Sequence, residues 1–149
     1  MKTTYEGHEI TRVIGLIGGM SWESSAEYYQ RINREVRERL GPLRSAKLLL
    51  YSVDFGPIEQ AQHEGRWDDT ASILEDAARR LYRGGADCVV LCTNTMHKVA
   101  DRVAAAVPIP FLHSALPVLD TTALHARAAV DFALQLPDSL HQARPHHGS

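Results

Sequence analysis

The chain has 149 residues, of which 44% are hydrophobic and 23% are charged, and its formal net charge is −2. This length suits one domain with its own core, and the composition is that of a folded globular protein rather than a disordered chain. The slightly negative charge argues against nucleic-acid and membrane-surface partners, which usually select a basic excess. No apolar run reaches the roughly 20 residues that a transmembrane helix needs, so we expect no membrane association.

The cysteine content is typical of a reducing compartment. Cys88 and Cys92 are the only cysteines, and their spacing fits neither a disulfide framework nor a Cys-x-x-Cys redox motif. The first twelve residues are polar and lack the apolar segment of a secretory signal peptide. We therefore expect a cytoplasmic protein.

Short apolar runs alternate along the chain with segments of helical periodicity. The runs predict strands at 13–17, 47–53, 88–92 and 108–113, and the periodic segments predict helices at 22–40, 58–64, 68–82, 93–106 and from 121 onward. Residues 117–120 are either a fifth strand or the approach to the last helix.

Turn-forming and capping residues set the boundaries of the predicted helices. Residues 55–57, Phe-Gly-Pro, predict a break before the second helix, and Asp68 is predicted to cap the third. In the last helix, Leu124, Ala128 and Phe132 are predicted to face the core because they recur at helical spacing.

The regular alternation of strands and helices predicts an α/β fold: a single flavodoxin-like domain with a parallel sheet of four or five strands and helices on both faces. The predicted domain spans 1–134 and comprises a segment 12–113 and a closing strand and helix at 116–134. Residues 135–149 are predicted to be a loose tail. Ligands of such sheets bind beyond the carboxyl ends of the strands, so the site is expected in the loops after the first three strands.

Cys92 ends the third predicted strand, immediately before a predicted helix. Free backbone N–H groups and the positive end of the helix dipole would lower the pKa of its thiol, and Thr93, Asn94 and Thr95 add donors for a carboxylate. The alternative is a buried, inert cysteine followed by ordinary capping residues. Cys88, at the other end of the strand, is predicted to pack in the core.

The glycine-rich segment 15–20, Gly-Leu-Ile-Gly-Gly-Met, follows the first predicted strand. Its spacing is not that of the dinucleotide-binding fingerprint, and no P-loop lysine follows it. It predicts a tight strand-to-helix turn whose backbone can approach a small anion.

Several long motifs, in order, resemble the aspartate/glutamate racemase family. Residues 14–29 resemble the family's opening, 90–98 its first cysteine motif, and 116–126 its last strand and closing helix. Residues 52–55 and 65–67 resemble the branch with broad amino-acid specificity. The resemblance runs from about residue 12 to 113 and from 116 to about 134.

This resemblance implies a racemase that needs neither cofactor nor metal and acts on a small amino acid. Family members have two similar domains, each of which gives one cysteine to a cleft, so that one thiolate removes the α-proton and the opposite thiol returns a proton. By this resemblance, Cys92 is the first catalytic cysteine. The residues implied to contact the substrate are Met20, Ser21, Gln62, Thr93, Asn94 and Thr95.

The sequence departs from the family between His113 and Leu116, where the second domain is largely missing. Cys88 cannot replace the second cysteine, because it lies on the same strand about 13 Å from Cys92 at about 3.3 Å per residue. We therefore expect impaired activity in the monomer, and a homodimer could complete the cleft by presenting both copies of Cys92. The alternatives are a non-catalytic domain that binds small carboxylates and a single-thiol decarboxylase or isomerase.

Overall fold

The computed structural model describes residues 9–93, 97–112 and 121–134. In chain order the elements are β1 Ile14–Gly18, α1 Trp22–Leu40, β2 Leu48–Ser52, α2 Phe55–His63, α3 Trp67–Arg83, β3 Cys88–Leu91, α4 His97–Ala105, β4 Phe111–Leu112 and α5 Thr121–Ala133. The predicted strand or approach at 117–120 and the predicted tail at 135–149 lie outside the described residues.

The four strands form one parallel sheet in the order β2-β1-β3-β4. This is the predicted flavodoxin-like α/β arrangement, in which the chain moves from β1 to one side and then returns to the other. The central strands β1 and β3 are buried along their whole length because helices cover both faces of the sheet. The edge strand β2 is only partly buried.

Two apolar cores lie on opposite faces of the sheet. On one face α1 and α5 pack on the sheet, and on the other face lie α2, α3 and α4. Helices α1 and α5 run in the same direction, because Tyr28 and Arg39 of α1 contact His125 and Asp131 of α5, respectively. Both helices therefore begin at the carboxyl edge of the sheet.

Helix α1 has the predicted bounds and the predicted amphipathic pattern. Tyr28, Ile32 and Val36 recur every four residues and are buried against the sheet. Its outer face is charged. Within the described ranges, none of the helices combines the length and apolar character that crossing a membrane requires.

Two predicted helix starts were wrong. Helix α2 begins at Phe55 because the Asp54 carboxylate accepts a hydrogen bond from the Gly56 N–H (3.0 Å), and Pro57 is tolerated in a first turn. Helix α3 begins at Trp67, so Asp68 is not its N-cap. The Asp68 carboxylate instead pairs with Arg102 of α4, at 2.7 Å.

Strand β4 and helix α5 also differ from the prediction. The described part of β4 begins at Phe111 rather than at residue 108, because the prolines at 108 and 110 have no N–H to donate to a ladder, and residue 113 lies outside the described residues. In α5, Phe132 is buried as predicted, but Leu124 is 46% exposed. The buried face is instead formed by small residues and His125, because the bond from Tyr28 to His125 fixes the rotation of the helix.

Candidate functional site

The loops that follow β1 and β3 meet at the point where the chain changes direction in the sheet. The Cys92 N–H donates to the Ile17 carbonyl at 3.0 Å, so the first residue after β3 continues the pairing with β1. On the other side, the Val53 N–H donates to the Gly18 carbonyl at 2.8 Å. Residues 18–21 and 92–93 therefore lie together at the carboxyl edge, where ligands bind in such folds.

Only glycine fits the centre of the turn after β1. Gly19 has φ +92°, and a Cβ atom there would lie 2.2 Å from the Val53 carbonyl oxygen. The left-handed conformation and the close backbone approach are both unfavourable for residues with side chains. The predicted tight turn is confirmed.

Two serines fix the start of α1. The Ser21 hydroxyl accepts from the Ser24 N–H (3.3 Å), as an N-cap does, and donates to a Glu23 carboxylate oxygen (3.2 Å). The buried Ser25 hydroxyl accepts from the Gly19 N–H (2.9 Å) and donates to the Ser21 carbonyl (3.2 Å). Ser21 therefore fixes the N-terminus of α1 beside the turn that follows β1.

Sequence analysis missed Ser25. Its signal is present in the sequence, because residue 25 precedes Tyr28 at helical spacing and so continues the apolar stripe of α1 with a polar side chain. A hydroxyl at such a buried position needs hydrogen-bond partners, and the turn after β1 supplies them.

The Cys92 side chain is only 1% exposed and belongs to the apolar core on the α1–α5 face, together with Leu16 and Tyr28. Burial raises the pKa of the Cys92 thiol to about 12. This is opposite to the lowered pKa predicted from a helix terminus, because withdrawal from water disfavours the thiolate. The described part of α4 begins at His97.

Cys88 is buried in the same core, as predicted, and burial raises the pKa of its thiol to about 12. Both cysteines are free thiols, and they occupy opposite ends of β3. The sheet therefore carries one cysteine at its carboxyl edge and one at its amino edge.

The other predicted site residues that the structure describes are Met20, Thr93 and Gln62, and they lie at or near the carboxyl edge of the sheet. Met20 is buried in the core on the α2–α4 face, and Thr93 is half-buried directly after Cys92. Gln62 is half-buried in the last turn of α2, which lies at the carboxyl edge because β2 ends and α3 begins there. Asn94 and Thr95 lie outside the described residues.

The described ranges hold no cluster of three or more histidine, cysteine, aspartate or glutamate side chains that could bind a metal ion. The chemical groups that the described part brings to the edge include the Cys92 sulfur, the Thr93 and Ser21 hydroxyls, the Gln62 amide and the first N–H groups of α1. Such N–H groups can hold a carboxylate, and a thiol can exchange a proton.

Residues 17–134 match the sequence profile of the Asp/Glu/Hydantoin racemase family, and the chain belongs to this family. A candidate Asp/Glu racemase from Yersinia pestis has a crystal structure similar to this chain. The two are 54% identical, with a TM-score of 0.67 over 69% of this chain and 45% of that one.

An aspartate racemase homologue from Pyrococcus horikoshii OT3 is 32% identical, with a TM-score of 0.63 over 68% of this chain and 44% of that one. The chain thus spans less than half the length of these two proteins.

Proposed function

We propose that this chain serves as a cofactor-independent amino-acid racemase in which the Cys92 sulfur exchanges the α-proton of a small amino acid. The observation that carries the proposal is the position of Cys92 at the carboxyl end of β3, hydrogen-bonded through its N–H to β1 beside the turn at 18–21. Membership of the racemase family supports the same chemistry. The motifs at 52–55 and 65–67 favour the branch with broad specificity.

In this proposal the substrate carboxylate binds at the start of α1, where Ser21 caps the helix and backbone N–H groups point outward. Met20 and Gln62 would contact the rest of the substrate from the α2 side. Thr93, with Asn94 and Thr95 after it, would supply hydroxyl and amide groups beside the sulfur. The two free thiols favour the cytoplasm as the location.

The state of Cys92 implies that the monomer is impaired. Because burial raises the pKa of the Cys92 thiol to about 12, the thiolate that removes the α-proton is a very small fraction at neutral pH, so proton removal is slow. Inversion at the α-carbon also needs a second group on the opposite side of the substrate. Cys88 lies at the far edge of the sheet and does not supply it.

A homodimer would supply the second group. Large apolar side chains, Trp22, Phe55 and Leu124, are exposed in the first turns of α1, α2 and α5, all of which begin at the carboxyl edge. Exposed apolar side chains at one edge would favour an interface there. Two copies joined at this edge by a two-fold axis would present Cys92 from both sides.

The test is exchange of the α-hydrogen of L-aspartate, L-glutamate and L-homoserine in D₂O, followed by NMR and chiral chromatography at two protein concentrations. We expect deuterium in both enantiomers, with more turnover per chain at the higher concentration. Cys92→Ala should abolish exchange, and Cys88→Ala, a buried cysteine on the same strand, should retain it. Exchange that survives in Cys92→Ala would contradict the proposal.

The near-complete burial of Cys92 favours a second candidate, in which the domain binds a small carboxylate without inverting it. If such a domain has any chemistry, it is a single-thiol decarboxylation or isomerisation, in which a protonated sulfur only donates. The same experiment separates the two functions. A folded chain that binds the amino acid but incorporates no deuterium at either concentration would be this second kind of protein.

A further inference from the structure

A groove of about 360 Å³ extends along α1 from Tyr29, near the middle of the helix, to Arg37 in its last turn. It is formed by the outer face of α1 and by the loop that leads to β2. Pro42 and Ser45 line it together with Tyr29, Gln30, Asn33, Arg34, Arg37 and Arg44. At about 1.5 Å per residue, Arg37 lies about 22 Å along the helix axis from Trp22. The groove is therefore separate from the racemase-like edge.

Hydrogen bonds hold the walls of this groove in place. The Asn33 side chain donates to the Tyr29 carbonyl (3.0 Å) and accepts from the Ala46 N–H (2.9 Å), which ties the loop to the helix. The Gly41 N–H donates to the Arg37 carbonyl (2.9 Å), and the Arg44 N–H donates to the Gly41 carbonyl (3.1 Å). The guanidinium groups are thus carried on a fixed scaffold.

The groove concentrates positive charge in a chain whose net charge is −2. Six other arginines pair with carboxylates, namely Arg31, Arg39, Arg66, Arg79, Arg80 and Arg102. In the described part of the chain, Arg34 and Arg37 form no ion pair, and no carboxylate lines the groove.

The helix dipole does not account for this cluster. Basic residues in the last turn of a helix stabilise its negative end, and this explains Arg37. Arg34 lies outside the last turn and Arg44 lies beyond the helix altogether. Arg34, which forms no ion pair in the described part of the chain, is therefore better explained by a ligand at this groove than by the end of the helix.

We propose that this groove binds the phosphate groups of a small polyanion. Guanidinium groups bind phosphate oxygens in pairs of parallel hydrogen bonds, and several of them together neutralise a multiple charge. The volume is within the range of small-molecule sites. The exposed ring of Tyr29 lies at the same groove and offers a surface for a planar group attached to the phosphates.

The test is isothermal titration of the purified chain with inorganic tripolyphosphate and, separately, with ATP. We expect saturable binding of one polyanion per chain that weakens with added salt. Arg37→Ala and Arg34→Ala should each weaken binding by about tenfold, the effect of losing a charge-assisted hydrogen bond. Arg83→Ala is the matched control, because Arg83 is an exposed arginine in the last turn of another helix, α3.

Two comparisons make the result specific. ATP binding tighter than tripolyphosphate, with the excess lost in Tyr29→Ala, would identify a nucleotide, and equal binding would identify the phosphates alone. Cys92→Ala should bind as the unaltered chain does, so this test is independent of the racemase proposal. The inference is overturned if no saturable binding is found, or if Arg34→Ala and Arg37→Ala bind as well as Arg83→Ala.

Discussion

Gly19 and Gly65 both have positive φ angles, but their surroundings differ. A Cβ atom on Gly19 would lie 2.2 Å from the Val53 carbonyl oxygen and 2.7 Å from the Val53 nitrogen. A Cβ atom on Gly65 would have no atom within 4 Å. The first glycine is thus required by both conformation and space, and the second by conformation alone.

Replacement of these glycines by alanine separates the two effects. Gly65→Ala should cost about 1–2 kcal/mol of unfolding free energy, the penalty for a left-handed residue. Gly19→Ala should cost about 2–4 kcal/mol, because overpacking against the backbone of residue 53 adds to that penalty. Urea denaturation measures both. Equal losses in the two variants would show that the turn after β1 relaxes to accept a side chain.

The two buried thiols make stability depend on pH in the alkaline range. Burial raises both pKa values from the ordinary value of 9.0 to about 12. Between these values the folded chain keeps protons that the unfolded chain has released, so the free energy of unfolding falls as pH rises. The contribution is fully present below about pH 9 and is lost as the pH approaches 12.

This dependence is measured by urea unfolding at several values between about pH 8 and about pH 11. Each pH unit within the window should cost up to about 1.4 kcal/mol for each thiol. The informative quantity is the difference in slope between the unaltered chain and the Cys88→Ala/Cys92→Ala variant. A variant with the same slope as the unaltered chain would show that the thiols are not protected.

At the level of the elements, side-chain contacts of Arg39, Tyr28 and Arg12 are among those that join α5 to the first part of the fold in the described residues. Arg39 of α1 binds Asp131 and also Glu35, and Tyr28 binds His125 at 2.9 Å. The Arg12 guanidinium lies 4.4 Å from the centre of the Phe132 ring. These contacts fix the position of α5 over β3 and so complete the apolar cover of Cys92.

Arg39→Ala is expected to lower the free energy of unfolding by about 1–3 kcal/mol, because it removes charged hydrogen bonds that join two helices. Arg31→Ala is the control. Arg31 pairs with Glu27 within α1 at the surface, and a pair of this kind contributes about 0.5 kcal/mol or less. Thermal melts of both variants would show the difference, and similar losses would indicate that the α1–α5 ion pair is no stronger than a surface pair.

The sequence predicted correctly those features that depend on residues close together in the chain. Helix α1 was predicted with its observed bounds because the periodicity of Tyr28, Ile32 and Val36 is a pattern within the helix itself. The predicted burial of Leu124 was wrong, because the rotation of α5 depends on its contact with Tyr28, which is distant in sequence. Cys92 is buried, in line with the alternative interpretation of this cysteine, within the core that α1 and α5 form. The alternation of strands and helices predicted that Cys92 lies at the carboxyl edge. It could not predict how fully the Cys92 side chain is buried.

For the whole molecule, the described residues form an apolar core on each face of the sheet, and the chain spans less than half the length of the two solved structures. The core on the α1–α5 face depends on α5, which covers Tyr28, Ile32 and Val36 together with the sheet. Exposing large apolar side chains costs about 1.5–3 kcal/mol each, and a domain is stable by about 5–15 kcal/mol in total.

Shortened chains test this dependence. A chain that ends after residue 120 lacks α5 and should show no cooperative thermal transition by circular dichroism. A chain that ends after residue 134 keeps every described element, and we expect it to melt near the temperature of the full chain, in line with the predicted tail at 135–149. A cooperative transition in the chain without α5 would mean that the α2–α4 face is sufficient for folding.

The parallel packing of α1 and α5 also governs the order in which the molecule is built on the ribosome. The contacting pairs are separated by 92, 97 and 120 residues. The α2–α4 face can form while synthesis continues, whereas the apolar side of α1 waits for α5 to emerge. Contacts of such long sequence separation form slowly, and until they form the nascent chain exposes the apolar side of α1 to solvent. Chaperones that bind emerging chains would therefore find their target on α1.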